Sequence, residues 1–600
     1  MSTYRPPLQD LKFSLHLFGH IEELASHERY AHADPETVDA VIEEHGRFFE
    51  EVWAPIDRTG DTEGLEWSPE GVRTPEAYKD AWDKFVAAGW QGFNLDPDYG
   101  GMGFPEVTYS LGSEVTSGAN AAFAMLPGLT TGACDLLQEW GTEEQKEVYL
   151  TKMVSGQWSG TMNLTEPHAG SDVGLSTTKA VPSPSDDGSW LITGTKIFIS
   201  FGENDLVENI VHLVLARTPD APAGTKGISL FLVPKFLPDA DGNPGARNDV
   251  RCVSIEHKMG IHSSPTCVMS YGDEGGATGW LVGEENQGMR AMFTMMNAAR
   301  LAVAVQSIGI ADAGYQKAVE YSRERTQGTE IGGDTPGPAP IVVHPDVRRM
   351  LLEMKASIEA MRNLAIHTTA CLDLSRVTEG EESDHHRESV ELLTPVAKAW
   401  CSDTGNRVNS LAVQVYGGMG FIEESGVAQH FRDQRITPIY EGTNGIQAMD
   451  LVGRKIGIRM GGAFADLMGE MRGVLVELTK YDGFEDTHRE LEAAFDRLQS
   501  STDWIMEHGL ADPRDALAGA TPYLEMFGLT AGGWLMARQA VMSAAMLADD
   551  SAAESPEFIR AKITTARFFC EQLLPKVHGL AAQVTAGHEI LFDIDADQLD

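Results

Sequence analysis

NIVHLVLAR (209–217) and GISLFLVPKF (227–236) are two runs of Ile, Val, Leu and Phe separated by TPDAPAGTK. Runs this short, rich in β-branched and aromatic residues and bounded by Pro, Gly and Asp, read as strands. WLITG (190–194) and KIFIS (196–200) repeat the texture just upstream. The section from about 158 to 283 therefore predicts an antiparallel sheet or a small barrel. On either side of it the apolar period lengthens to that of helices. DPETVDAVIEEHGRFFEEVW (34–53) has an Asp cap and apolar positions Val38, Val41, Phe48 and Val52 at three- and four-residue spacing.

After the sheet section, NQGMRAMFTMMNAARLAVAVQSIG (286–309), RRMLLEMKASIEAMRNLAIH (348–367) and ESVELLTPVAKAWCSDTGNRVNSLAVQVYGG (388–418) are long enough for a helix bundle. GTEIGGDTPGPAPIVVHP (328–345) reads as a surface loop between two of these helices. Four amphipathic segments between 463 and 574 predict an appended helical domain. The expected fold class is α+β multidomain. Its parts are an N-terminal extension (1–35), an N-terminal helical domain (36–157) and a central small antiparallel β domain (158–283). A C-terminal four-helix-bundle domain (284–461) and a further helical domain (462–600) complete it. Six hundred residues exceed what one core supports.

The chain is 42% hydrophobic and 22% charged, which are ordinary globular values. Its 46 Lys and Arg against 89 Asp and Glu give a net charge of −43. Such a surface repels phosphate backbones and anionic lipid, and no local basic patch offsets it. No nucleic acid and no membrane are therefore expected as partners. The six cysteines are scattered without a C-x-x-C pair, as suits thiols serving as small core residues in a reducing compartment. MSTYRPPLQDLKF lacks the pattern of a signal peptide, and no apolar run reaches the ~18 residues of a membrane span. A soluble, cytoplasmic protein is the expectation.

Several stretches carry chemistry. NLTEPHAGSDVG (163–174) either makes an ordinary Gly/Ser/Asp turn or lets its backbone cradle a polar planar group or phosphate. YGGMGF occurs at 99–104 and again at 416–421 and reads as two similar turns. Neither copy fits G-x-G-x-x-G between a strand and a helix, so a dinucleotide fold of that type is unsupported. His16 and His20 could share a helix face, but no third ligand accompanies them, and no metal is expected. His385 and His386 lie in an acidic run read as a solvated loop.

In PIYEGTNGIQAMDLVGRK (438–455), Glu441 stands at a chain break. Thr443 or Asn444 can cap the helix that follows, with Ile446, Met449 and Val452 on its apolar face. Glu441 is then either a plain residue near a cap or a carboxylate turned toward a cleft, where desolvation would make it a base.

LTEPHAGSDVG (164–174), QVYGGMGFIEE (414–424) and IYEGTNGIQ (439–447), in this order, resemble three signatures of the acyl-CoA dehydrogenases. These are TEP-x-AGSD, Q-x-x-GG-x-G and YEGT. The resemblance covers about 40 to 460 and includes the family's helix–sheet–helix order. It implies FAD as cofactor and an acyl-CoA thioester as substrate, with the α-proton taken by Glu441 and the β-hydrogen passing to the flavin. Some relatives carry the base on a bundle helix before an arginine. The matching segment here places Ala299 before Arg300, which leaves Glu441.

The resemblance further implies that Leu164 and Thr165 meet the flavin pyrimidine edge, and that Ser171 lies near the pantetheine or the diphosphate. Phe198 and Ser200 match a W-x-T pair flanking the flavin, with Phe in place of Trp. Across a homodimer interface, Arg325 is implied to reach the diphosphate of the neighbouring subunit's FAD, and Gln414, Gly417 and Gly418 its adenosine half. Thr443 is implied to touch FAD, and Asn297, Arg300, Tyr440 and Gly442 to line the substrate. The length and helical tail resemble a longer branch that includes 3-methylmercaptopropionyl-CoA dehydrogenases and medium- to long-chain enzymes. Electron-transferring flavoprotein is the implied electron acceptor. An acyl-CoA oxidase, a nucleic-acid-binding flavoprotein and a non-catalytic partner are the competing readings.

Overall fold

The computed structural model describes residues 4–185, 187–333, 337–549 and 554–600. Its helices include α1 (Leu8–Phe18), α2 (Pro35–Phe48), α3 (Glu106–Ala119) and α4 (Met125–Trp140). Strands β1 (Trp158–Asn163), β2 (Lys179–Pro182), β3 (Trp190–Ser200), β4 (Asn209–Ala216), β5 (Ser229–Pro234), β6 (Val250–Ile255), β7 (Thr266–Tyr271) and β8 (Ala277–Val282) form one sheet. Long helices follow: α5 (Gly288–Glu324), α6 (Pro345–Val377) and α7 (Gly380–Tyr416), then the short α8 (Asn444–Asp450). The tail includes α9 (Gly462–Leu478), α10 (Glu485–Ala511), α11 (Ala520–Ala548) and α12 (Pro556–Phe568). Two compact units emerge, one from Glu44–Pro105 and Val115–Ala302, the other from Met1–Glu43, Glu106–Glu114 and Val303–Asp600.

In the first unit the sheet order is β6-β7-β3-β8-β5-β4-β1, with β2 on β3. The two opening runs pair antiparallel, Val211 opposite Pro234 and Ala216 opposite Ser229. Every residue of β4 and β5 is buried because both faces of the sheet are covered. Val211, Leu213, Leu215, Leu230 and Leu232 pack with Leu136, Leu137, Met292 and Met295 on one side. Val214, Ala216, Phe231 and Val233 face a second core with Ile192, Met269 and Tyr271. The sheet departs from the antiparallel expectation at one place, since β1 and β4 are parallel. Among the described residues β6 and β1 do not pair, so the sheet is open rather than a closed barrel.

The buried stripe from α2 onward is Val38, Ile42, His45, Phe49 and Trp53, and Val41, Phe48 and Val52 are only half-buried. The stripe is rotated because His45, polar by type, packs as an aromatic ring against Phe49, Trp90 and Phe93, with centroids 4.4, 4.8 and 5.6 Å away. His385 and His386 lie within α7, not in a loop; the acidic run forms an exposed helical end. The loop between α5 and α6 is as expected where described, and residues 334–336 of it lie outside the described residues. All six cysteines are buried and unpaired. α5 is long and apolar enough to cross a bilayer, contrary to the reading from sequence, but 61% of its apolar window is buried, as in a core helix.

In the second unit the tail helices lie directly on the bundle. A Cβ at Gly528 of α11 would stand 2.2 Å from the Trp400 ring of α7, and one at Gly532 would stand 2.8 Å from it. Only glycine at this four-residue spacing allows the contact. Buried charges also join the parts. Lys562 of α12 binds Asp10 of α1, and Lys355 Nζ lies 3.0 Å from Glu359 on α6.

Burial holds His45, His212 and His367 neutral, each pushed from 6.5 down to about 3. Below pH ~6.5 the unfolded chain therefore binds protons that the folded chain refuses, and stability falls as pH drops. Burial acts oppositely on Asp312 and Asp373, raised to about 7 and about 6, which take protons on the folded side first. Three such histidines against two such aspartates leave about one proton unmatched, so stability declines gradually as pH falls from about 6.5 to 4.5. Asp10 and Glu359 would be raised by burial, but Lys562 and Lys355 hold both below the usual carboxylate range. Their contribution is present above the unfolded value and lost as pH falls through the folded one. Thermal unfolding followed by circular dichroism is thus expected to show a gradual fall in stability between about pH 6.5 and 5 and a steep one below about 4.

Candidate active site

Residues 438–447 form the turn that introduces α8. The N–H groups of Ile439 and Tyr440 both return to the Ile436 carbonyl, at 2.8 and 3.2 Å, and that of Asn444 to the Pro438 carbonyl at 3.0 Å. The chain then turns left-handed twice, with φ of 56° at Glu441 and 79° at Gly442. Glycine adopts this freely, but for glutamate it costs roughly 1–2 kcal/mol and persists only where neighbours fix it.

Several buried side chains fix it here. Gln447 Nε2 donates to the Glu441 and Gly442 carbonyls at 3.4 and 3.3 Å. Lys398 Nζ of α7 donates to the Gly442 carbonyl and to Asn444 Oδ1, both at 2.9 Å. Asn444 Nδ2 donates to the Ala399 carbonyl at 3.2 Å and to Ser402 Oγ at 2.9 Å. The Tyr440 hydroxyl donates to Gln306 Oε1 of α5. A Cβ at position 442 would lie 2.6 Å from Gln447 Nε2. Lys398 and Gln447 are fully buried behind the turn, whereas Glu441 itself keeps part of its surface accessible. Thr443 caps α8, accepting the Ile446 N–H at 3.4 Å. The buried face of α8 is Gln447 and Ala448, with Met449 46% exposed, because Gln447 is drawn back to the turn.

Elsewhere in the same unit, Tyr321 of α5 stacks on Tyr416 of α7 with centroids 4.1 Å apart. That contact joins the helix ends bearing Arg325 and Gln414, both exposed. The two YGGMGF copies differ in kind. A Cβ at Gly101 would stand 2.0 Å from the Leu95 carbonyl oxygen, so the first copy is packing. At Gly417 and Gly418 a Cβ would meet nothing within 4 Å, and both are exposed.

In the sheet-bearing unit, the loop after β1 is fixed by a buried ion pair. Glu166 accepts from Lys196 at 2.9 Å, from the N–H and hydroxyl of Thr177 at 2.8 and 2.9 Å, and from those of Thr178 at 3.1 and 2.6 Å. Burial alone would raise the Glu166 carboxyl, but the Lys196 ammonium and these donors outweigh it and hold it at about 2. Lys196 also donates to the Leu164 carbonyl at 2.9 Å, and the Ile197 N–H to the Thr165 carbonyl at 2.9 Å. Leu164 and Thr165 are thereby tied to the strand carrying Phe198 and Ser200. Among the described residues the Thr165 hydroxyl has no hydrogen-bond partner. Phe198 has φ of 59° and is 58% exposed, an aromatic face turned outward from a strand. Ser171 is exposed on the loop and joins no cluster. On α5, exposed Asn297 accepts from buried Arg300 at 3.3 Å.

The structure thus gathers Tyr440, Glu441, Gly442 and Thr443 in one place. Arg325, Gln414, Gly417 and Gly418 share one pair of helix ends, and Leu164, Thr165, Phe198 and Ser200 one strand edge. Sequence reading missed Gln306, Lys398, Gln447 and the Glu166–Lys196 pair. The available signal was a lone lysine in each of two apolar stretches, PVAKAW and GTKIFI.

Residues 35–157, 161–273 and 286–456 match the profiles described as acyl-CoA dehydrogenase N-terminal, middle and C-terminal domains. Residues 467–595 match acetyl-CoA dehydrogenase C-terminal like. Over 593 residues the chain is 44% identical to 3-methylmercaptopropionyl-CoA dehydrogenase of Ruegeria pomeroyi, covering 97% of this chain and 98% of the relative. The chain belongs to the acyl-CoA dehydrogenase family.

A second member of the acyl-CoA dehydrogenase family, the broad-specificity linear acyl-CoA dehydrogenase FadE5 of Mycobacterium tuberculosis, is 35% identical over 100% of this chain and 98% of its own. The fold matches that of an acyl-CoA dehydrogenase complexed with FAD from Bacillus anthracis, with a TM-score of 0.72 at 20% identity over 94% of this chain and 89% of that one. As an acyl-CoA dehydrogenase the protein is an FAD-dependent oxidoreductase acting on acyl-CoA thioesters. The residues present fit that cofactor. Thr165 offers an unengaged hydroxyl, Phe198 an exposed ring, and Gly417 and Gly418 a backbone that another molecule can approach closely.

Proposed function

We propose that Glu441 is the base that removes the α-proton of the acyl-CoA thioester. The observation that carries this is the left-handed Glu441, a conformation glutamate avoids, held by Gln447 and Lys398 at the two carbonyls that follow it. Bound FAD supplies the acceptor for the β-hydrogen with its electron pair. Fixing the backbone at Glu441 matters twice, because its carboxylate must meet the proton and its N–H can donate to the thioester oxygen as negative charge grows there. Tyr440, Gly442, Asn297 and Arg300 would line the thioester and pantetheine, and Ser171 would meet the pantetheine or the diphosphate. Leu164, Thr165, Phe198, Ser200 and Thr443 would hold the flavin ring. Arg325 would reach the diphosphate of a second subunit's FAD, and Gln414, Gly417 and Gly418 its adenosine half, which makes the working form a homodimer. Electrons would leave to electron-transferring flavoprotein in the cytoplasm.

For the substrate, the 44% identity to 3-methylmercaptopropionyl-CoA dehydrogenase over nearly the whole chain favours a short, sulfur-bearing acyl group. The similarity to a broad-specificity linear acyl-CoA dehydrogenase supports fatty acyl-CoA as the second reading. Steady-state rates with 3-methylmercaptopropionyl-, butyryl-, octanoyl- and palmitoyl-CoA discriminate the two. The first reading expects kcat/KM for the sulfur substrate at least about 10-fold above palmitoyl-CoA, since each ill-fitting methylene costs roughly that factor. A preference for palmitoyl-CoA would reject it.

A further inference from the structure

Lys398 is 0% exposed, in the apolar stretch TPVAKAWC of α7. An ammonium is costly to bury unless its donors are satisfied, and a core position that needed only volume would carry Leu or Met. Its acceptors here are specific. They include the carbonyl of Gly442, the residue immediately after Glu441, and the side chain of Asn444, the first residue of α8. Asn444 is itself gripped by Ala399, the residue after the lysine, and by Ser402, one turn further along the same helix. The ammonium therefore ties a left-handed turn to one of the two longest helices of the bundle.

We propose that Lys398 is a positioning residue for Glu441. Through the Gly442 carbonyl and Asn444 it fixes the left-handed turn, and so the point from which the carboxylate reaches the α-proton. The proposal rests on the reading of Glu441 as the base. It takes Lys398 to touch neither substrate nor flavin and to act only through backbone geometry. Small displacements of a base from its proton are expensive, since about 1 Å costs on the order of 100-fold in rate.

The test is Lys398→Met in the FAD-loaded enzyme, in single-turnover reduction by an acyl-CoA deuterated at the α- or at the β-carbon. The proposal expects flavin reduction to slow about 10- to 100-fold with the substrate Kd changed less than about threefold. The α-deuterium isotope effect should rise relative to the β-deuterium effect. Amide hydrogen exchange should quicken in peptides covering 438–450 and not along α5 and α6. An unchanged α/β isotope ratio, or exchange that quickens throughout the bundle, would overturn it in favour of a purely structural lysine. Should Lys398→Met not fold, Asn444→Ala removes one of the two anchors and keeps the ammonium; the same isotope and exchange changes are expected, smaller in size, and their absence overturns the proposal. Glu441→Gln separates the two readings. If that variant keeps the parental rate, the base assignment fails. If it is inactive while Lys398→Met behaves as parent, only the positioning role fails.

Discussion

Glu441→Gln is expected to lower acyl-CoA turnover on the order of 10⁴-fold while leaving FAD content and acyl-CoA affinity close to parental. The amide has the size and planarity of the carboxylate, so the turn and its hydrogen bonds from Gln447 and Lys398 to backbone carbonyls need not change. What it lacks is a lone pair basic enough to take a proton from carbon. Glu441→Asp should fall between, on the order of 100-fold down, because the carboxylate is retained but withdrawn by one methylene. Steady-state assays with an artificial electron acceptor, alongside acyl-CoA titrations of the oxidised protein, check both. Parental turnover in Glu441→Gln would show that the proton leaves to another group.

The second large effect concerns stability. Arg362 of α6 is 2% exposed and grips Glu114, itself 2% exposed, by two nitrogens: Nε at 3.0 and 3.1 Å from the two carboxylate oxygens and Nη2 at 2.6 Å. Asp312 adds a further carboxyl nearby, already pushed up to about 7 by burial. Arg362→Met leaves Glu114 buried without its counter-charge and should cost about 3–5 kcal/mol. The double change Arg362→Met with Glu114→Leu removes both charges and should restore a large part of that loss, since an apolar replacement of a buried pair is often near neutral. Urea unfolding of parent, single and double variants measures this. A single-variant loss below about 1 kcal/mol would mean that water reaches the pair and screens it.

Much of this was legible in the sequence because the signals were local. The two runs at 209–217 and 227–236 became β4 and β5 as expected, and the long helical periods became α5, α6 and α7. What was not legible depended on partners distant in the chain. The parallel pairing of β1 with β4 has no mark in either strand. His45 is polar by type, yet it completes the buried stripe because Trp90 and Phe93 supply an aromatic pocket. At the candidate site, the composition of PIYEGTNGIQ marked a turn beside Glu441 but could not place Lys398 behind it, since the lysine arrives from another helix. The second YGGMGF copy looked like the first until the surroundings of Gly101 and Gly418 separated a packing glycine from an open one.

The central claim is that this chain, loaded with FAD, dehydrogenates an acyl-CoA thioester. Anaerobic titration of the purified yellow protein with 3-methylmercaptopropionyl-CoA or butyryl-CoA tests it directly. The account predicts that the oxidised flavin absorbance bleaches and that one enoyl-CoA forms for each flavin reduced. Retention of the oxidised spectrum with every saturated acyl-CoA tried, with no enoyl product, would contradict it.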